Sequence, residues 1–414
     1  MSVENNVPEI RFKGFSDQWQ SLSLDKITDV YDGTHQTPTY IKNGVMFLSA
    51  ENIRTLTSQK FISEKDFKEE FKVYPQKNDV LMTRIGDVGT ANVVETDDDK
   101  AYYVTLALLK YKQLSPYFLK SAIASPYVQR DIWLRTLHIA FPKKINMNEI
   151  KQVAVSCPTD KRESDHLGNT FQKLDNLINQ HQQKHDKLSN IKKAMLEKMF
   201  PKQGETMPEI RFKGFSGEWE EIGLLDSIER IIDFRGRTPK KLGLDWSPTG
   251  YRALSALNVK QGYIDFSIDP HFGDQKLYDK WMNGSDLHQG QVLFTTEAPM
   301  GNVAQVPNAD KYILSQRTIA FVVKPEVITE DFLAVLLRSL NVFRELSALS
   351  SGGTAKGVSQ KVLSNLNVLI PTELDEQTAI GNYFQKLDEL INQHQQQITK
   401  LNNIKQACLS KMFV

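Results

Sequence analysis

The chain has 414 residues, a formal net charge of +1 and only two cysteines, Cys157 and Cys408. That length divides into two or three domains, each able to bury its own core. Two distant cysteines exclude a disulfide framework and a paired-cysteine zinc site, and the near-neutral charge confines any nucleic-acid footprint to local patches.

No apolar run reaches membrane-span length, and the opening MSVENNVPEI lacks a secretion-signal pattern, so the expected setting is a reducing cytoplasm. The first segment starts on PEIRFKGFS (Pro8–Ser16), where apolar Ile10 and Phe12 alternate, and continues to Trp19. The runs GVMFLSA, NDVLMTR and AYYVTLALLKY, separated by Gly, Pro and Asn turns, predict short strands. Ser115–Arg135 predicts a helical stretch, and VAVSCP one more strand. Many short strands with few helices indicate an α+β domain.

A long helix follows. Its seam residues are Phe171, Leu174, Ile178, His181, His185, Leu188, Ile191, Met195 and Met199, in steps of three and four that alternate except for one extra three before Ile191 and a second four before Met199. This is a coiled-coil stripe with a stammer.

The remainder repeats the plan. PEIRFKGFS recurs at Pro208–Ser216, with Trp219 after it. GVMFLSAENI matches GYRALSALNV, and NDVLMTRIGDVG matches GQVLFTTEAPMG. Strand runs QVLFTT and TIAFVV, a helical stretch Ile328–Ala348 and a strand at LNVLIP complete the second globular segment. FQKLDNLINQHQQ (Phe171–Gln183) returns as FQKLDELINQHQQ (Phe384–Gln396). The second seam is Phe384, Leu387, Ile391, His394, Ile398, Leu401, Ile404, Cys408 and Met412.

Two copies of one unit are therefore expected, each about 160 residues of α+β sequence and then about 40 of helix. The boundaries are 1–158 and 204–371 for the globular domains, and 159–203 and 372–414 for the helices. Each narrow apolar stripe needs a partner, and the other copy's helix is the economical one. Leu174, Ile178, His181 and Leu188 are expected to pair with Leu387, Ile391, His394 and Leu401. The architecture expected is two globular domains joined by two long antiparallel helices with internal pseudo-two-fold symmetry. About 40 helical residues span roughly 60 Å, more than the roughly 34 Å of one turn of DNA. His181 and His394 read as polar seam residues that fix register, with a pH switch or metal site as the alternative. Cys408 reads as a small seam residue. The start of each copy is expected beside the end of the other helix: Ile10, Phe12 and Phe15 near Met412 and Phe413, and Ile210, Phe212 and Phe215 near Met199 and Phe200.

Catalytic patterns are missing. No Gly-rich phosphate loop with its Lys is present, and SSGGTAKG (Ser350–Gly357) has the wrong spacing. Asp269-Pro270-His271-Phe272 resembles a methyltransferase motif imperfectly and reads as a turn. Asp97-Asp98-Asp99-Lys100 reads as an acidic turn between strands. Binding signals are stronger. RIIDFRGRTPKK supplies Arg235, Arg237 and Lys240; SQR supplies Gln316 and Arg317; GGTAKG supplies Thr354 and Lys356. In the first copy, DGTHQTPTY supplies His35, Gln36 and Thr37, MTRIG supplies Arg84, and TLHIAFPKK supplies His138, Lys143 and Lys144. These residue types pair with base edges and phosphates.

The doubled plan resembles the specificity subunit of type I restriction–modification systems. The resemblance rests on the R-F-x-G-F…W start, the Thr37-Pro38 and Thr238-Pro239 loops, and the V-L-x-T strands at Val80–Thr83 and Val292–Thr295. It also rests on GGTAKGVSQKVLSNLNVLIP followed by EQTAIGNYFQKLD. The first copy departs from this last pattern, with HIAFPKKINMNEIKQVAVSCP and a basic loop less rich in Gly. The resemblance implies two target recognition domains, each reading half of a bipartite DNA site, and helices that set the gap between the halves. It implies no catalysis by this chain, and partners comprising double-stranded DNA, two methyltransferase subunits and restriction subunits. S-adenosylmethionine, ATP and magnesium would belong to those partners. The rivals are a coiled-coil scaffold that binds only protein and a stand-alone DNA methyltransferase. The bases read, the gap length and the partners' identities are not legible.

Overall fold

The computed structural model describes residues 6–350 and 357–414. The chain folds into two compact units: Met1–His181 with Gln396–Val414, and Gln182–Gln395. Each long helix, Lys161–Lys198 and Leu374–Lys411, contributes one part to each unit.

In the first unit a four-stranded antiparallel sheet runs in the order Asp29–Asp32, Leu106–Lys110, Val80–Thr83, Ala91–Val93. Beside it lies a three-stranded sheet, Phe61–Ile62, Val45–Leu48, Lys100–Tyr102, whose last pair is parallel. Val80–Thr83 is buried throughout because both faces of its sheet are covered. Side chains alternate across a strand, so Val80 and Met82 enter a core shared with the helices, while Leu81 enters a second core with Phe47, Leu48 and Ile62.

The second unit repeats this construction. Its four-stranded sheet runs Ile228–Asp233, Thr318–Val323, Val292–Thr295, Val303–Gln305. Val292 and Phe294 enter the core with the helices, and Leu293 enters the other, around Trp281. In both units a two-stranded pair closes the domain: Gln20–Ser23 with Ala154–Cys157, and Glu220–Gly223 with Asn367–Ile370.

One expectation changes. Each helical stretch between the sheets and the long helix is a pair of helices. In the first unit Pro116–Ala124 stops and Pro126–Arg135 starts at Ser125, whose Oγ accepts the Val128 N–H. A residue before proline is driven out of the helical region, so one continuous helix was not available. In the second unit the break falls between Glu330–Leu336 and Leu340–Leu349. The alternating start of PEIRFKGFS is not a strand in either copy.

Its partners are nonetheless near those expected. The Ile10 N–H donates to the Lys411 carbonyl at 2.9 Å, and the Ile210 N–H to Lys198 at 2.8 Å. Phe12 packs on the core holding Met412 and Phe413, and Phe212 on the core holding Met199 and Phe200. Phe15 instead sets its ring against His166. Phe413 contacts the rings of Trp19, Phe118 and Phe171 at 5.5–6.1 Å. Phe200 contacts Trp219, Phe332 and Phe384 equivalently, at 5.8–6.4 Å.

Candidate nucleic-acid interface

In the first unit, strand register decides which loops meet. Asp32 pairs with Ala107 and Thr83 with Leu106. The loop after Asp32, the turn after Thr83 and the turn before Leu106 therefore leave the sheet at one end. Residues 137–144 join them there, because Lys144 bridges to both Ile85 and Leu137. The Ile145 N–H also donates to the Arg84 carbonyl at 3.0 Å. Stretches distant in sequence thus bring His35, Gln36, Thr37, His138, Lys143 and Lys144 to one edge, all exposed. The His138 ring lies 4.6 Å from the Trp133 ring, with Nε2 at 2.8 Å from the Trp133 carbonyl. The loop after Asp32 borders an open cavity of about 450 Å³, lined also by Tyr31, Glu70 and Lys72.

Arg84 is a correction. Its side chain is only 7% exposed. The guanidinium donates to Asp32 Oδ1 at 2.6 Å and to the carbonyls of Val104 and Ile145 at 3.2 and 3.4 Å. A buried guanidinium needs such acceptors, so Arg84 faces inward and ties three loops together. Asp32, which the sequence reading passed over, is the hub. It also accepts the Gly33 N–H at 2.9 Å and lies 3.0 Å from His35 Nε2.

The second unit repeats the convergence. Asp233 pairs with Ile319 and Thr295 with Thr318. Gly357 bridges to Glu297, and the Val358 N–H donates to the Thr296 carbonyl at 2.8 Å. Position for position, Asp233 matches Asp32, Thr296 matches Arg84, and Val358 matches Ile145. Arg235, Lys240 and Arg317 are exposed at this edge, and Gln316 is half-buried. Thr238-Pro239 starts a short turn of helix at Lys240–Leu242, which Gly243 ends at φ 69°; Thr37-Pro38 lies in a stretch without regular secondary structure. Arg235 pairs with Asp233 at 3.2 Å and Arg317 with Glu297 at 3.4 Å. Both arginines are about half exposed, and such pairs contribute roughly 0–1 kcal/mol, so a stronger anion can displace the carboxylate. Arg237 is engaged inward, over the Phe234 ring at 4.4 Å and donating to the Trp281 carbonyl. Thr354 and Lys356 lie outside the described residues.

The frame beneath both edges holds groups that the sequence reading missed. Arg11, in the repeated nonapeptide, clasps the buried Glu163 at 2.5 and 2.7 Å. Arg211 clasps Glu376 in the same way, at 2.7 and 2.6 Å. The nonapeptide thereby locks the first turn of each long helix to its domain. Asp175 takes Lys120 at 2.8 Å and Lys405 at 2.5 Å. Its counterpart Asp388 takes Arg338 at 2.5 Å and Lys192. Burial alone would push the Asp175 carboxyl up, but the two lysines together outweigh it and hold the group below its ordinary value. Every expected pairing residue, Leu174, Ile178, His181, Leu188, Leu387, Ile391, His394 and Leu401, is half-buried or buried. Ile404 stands exposed instead, and Leu409 is buried.

Asp269 to His271 bends tightly, the His271 N–H donating to the Asp269 carbonyl at 2.9 Å, and leads into the strand Phe272–Gly273; Asp269, at φ 49°, is bound to Ser255 and His271. Asp97 to Asp99 is an acidic bend between the strands Ala91–Val93 and Lys100–Tyr102, and Lys100 reaches Asp98 at 2.6 Å. Burial pushes the Cys157 thiol up to about 12, which removes it as a nucleophile.

Comparison with known proteins agrees with this construction. Residues 217–403 match the family model described as type I restriction modification DNA specificity domain. The type I restriction enzyme MjaVIII specificity subunit of Methanocaldococcus jannaschii is 24% identical over 389 residues, covering 89% of this chain and 84% of the relative. The crystal structure of a type I restriction-modification S subunit from M. genitalium superposes with TM-score 0.64 at 14% identity, covering 99% of each chain. The resemblance read from the sequence is thus borne out: this chain is similar, in sequence and in fold, to type I restriction–modification specificity subunits, and residues 217–403 match that family's DNA specificity domain.

Proposed function

We propose that this chain is the DNA sequence-recognition subunit of a type I restriction–modification complex. Each globular domain, residues 1–158 and 204–371, reads one half of a bipartite site. The helical segments, 159–203 and 372–414, set the gap and dock two methyltransferase subunits, and restriction subunits join the full complex. This chain performs no catalysis. S-adenosylmethionine, ATP and magnesium belong to its partners, and the assembly works in the cytoplasm.

One observation carries the reading. In both units the same strand register gathers polar and cationic loops at one sheet end. His35, Gln36, Lys143 and Lys144 form the first reading edge, and Arg235, Lys240, Gln316 and Arg317 the second. Arg84 and Arg237 position these loops from behind. The combination of amide, imidazole, ammonium and guanidinium groups suits base edges and phosphates. A protein-only scaffold has no need of that composition at equivalent places in two domains.

The test is to mix the chain with its cognate methyltransferase subunits and map methylated sites across a genome. A two-part motif with a fixed gap is expected. Assembly without any sequence-dependent methylation would favour the scaffold instead.

A further inference from the structure

The tip of the loop between Leu137 and Lys144 does not fit a purely polar reading edge. Ile139 and Phe141 are both fully exposed there. The tip is nevertheless held: Leu137 and Lys144 exchange two main-chain hydrogen bonds at 2.7 and 3.4 Å, and the Gly86 N–H donates to the Lys143 carbonyl at 2.9 Å. An aromatic side chain presented to water on an anchored loop marks a contact surface. No carboxylate occurs between Asp131 and Glu149, and Lys143 and Lys144 have no ion pair among the described residues. The tip shares its sheet end with the loop of His35 and Gln36.

We propose that Phe141 is a wedge that enters the DNA duplex at a base step of the first half-site. Ile139 packs beside it, and Lys143 and Lys144 take the flanking phosphates. Apolar side chains inserted between bases unstack the step and bend the helix, and flanking cations hold the distorted backbone. The wedge makes the first domain sensitive to how easily a step deforms, a form of selection that needs no base-edge contact. Counting back from the equivalent Ile145 and Val358, the second copy has Thr354 where the first has Phe141. The wedge therefore belongs to one half-site only.

This inference rests on the DNA-recognition reading. Its test uses the full chain with its methyltransferase subunits and duplexes carrying 2-aminopurine at successive positions in and beside the first half-site. Binding should brighten the probe at one step. Phe141→Ala should abolish that signal, Phe141→Leu should retain part of it, and Thr136→Ser should leave it unchanged. If the wild type yields no two-part methylated motif, the recognition reading fails and the wedge with it. If the motif is two-part but every step stays dark, or Phe141→Ala keeps the brightening, the wedge alone is wrong. If Phe141→Ala weakens assembly with the methyltransferase in the absence of DNA, the tip is a protein-docking element and the wedge is likewise rejected.

Discussion

The two units share a frame and differ in the loops gathered at one end of each four-stranded sheet. Arg11–Glu163 and Arg211–Glu376 are built alike, as are the ring clusters around Phe413 and Phe200 and the ion clusters at Asp175 and Asp388. At the edge the equivalents diverge: Arg84 against Thr296, and an irregular Thr37-Pro38 against a helical turn after Thr238-Pro239. Where three elements pack together, one changed side chain disturbs all three, so the residues stay. Where a loop faces solvent or a ligand, little in the fold resists change.

The sharpest test of the shared frame is to break its buried ion pairs. Glu163→Gln leaves Arg11 without its carboxylate, and Glu376→Gln does the same to Arg211. Each should cost about 3–5 kcal/mol. Hydrogen exchange should rise in the unit that carries the change and much less in the other. Unequal costs would show that the frames are not energetically alike.

Gly168 and Gly381 give the next effect. A Cβ on Gly168 would lie 2.3 Å from Ser115 Oγ and 2.9 Å from the Phe118 nitrogen. On Gly381 it would lie 2.5 Å from Asp331 Cβ and 2.9 Å from that residue's carbonyl carbon. Valine at either position should destabilise by about 1–3 kcal/mol, measured as the denaturation midpoint of that unit.

Acid unfolding probes the ion clusters. Asp175 is held below its ordinary value of 3.8. Its contribution is therefore complete above that value and lost as pH falls through the lowered one. Asp175→Asn should flatten the pH dependence of the first unit below about pH 4 and lower its stability at neutral pH. An unchanged acid profile would show that Lys120 and Lys405 do not depend on that charge.

The smallest effect on folding should come from the reading edge. Arg317→Ala removes an exposed pair and should change stability by less than about 1 kcal/mol. It should also cost roughly 1–3 kcal/mol of DNA affinity and relax one position of one half-site. Unchanged methylation specificity would remove Arg317 from the interface.

Much of the fold was legible because its signals are local or repeated. Strand runs buried on both faces, such as VLMT and VLFT, are continuous and apolar, and the helix seam has a fixed period. The convergence of the loops was not legible, because it depends on register between strands distant in sequence. Arg84 was misplaced for the same reason: nothing local reveals that Asp32 lies beneath it. The repeated Arg of PEIRFKGFS was visible, but its partner Glu163 stands 152 residues away. The identity of the nonapeptide marks that constraint, since a buried clasp tolerates fewer changes than a loop.

The most direct test of one frame with two readers is a domain exchange. Residues 220–368 would be replaced by the matching segment of another specificity subunit, and methylated sites mapped with the cognate methyltransferase subunits. One half of the motif should change to that of the donor, with the other half and the gap preserved. A change in both halves, or in neither, would contradict independent reading by the two domains.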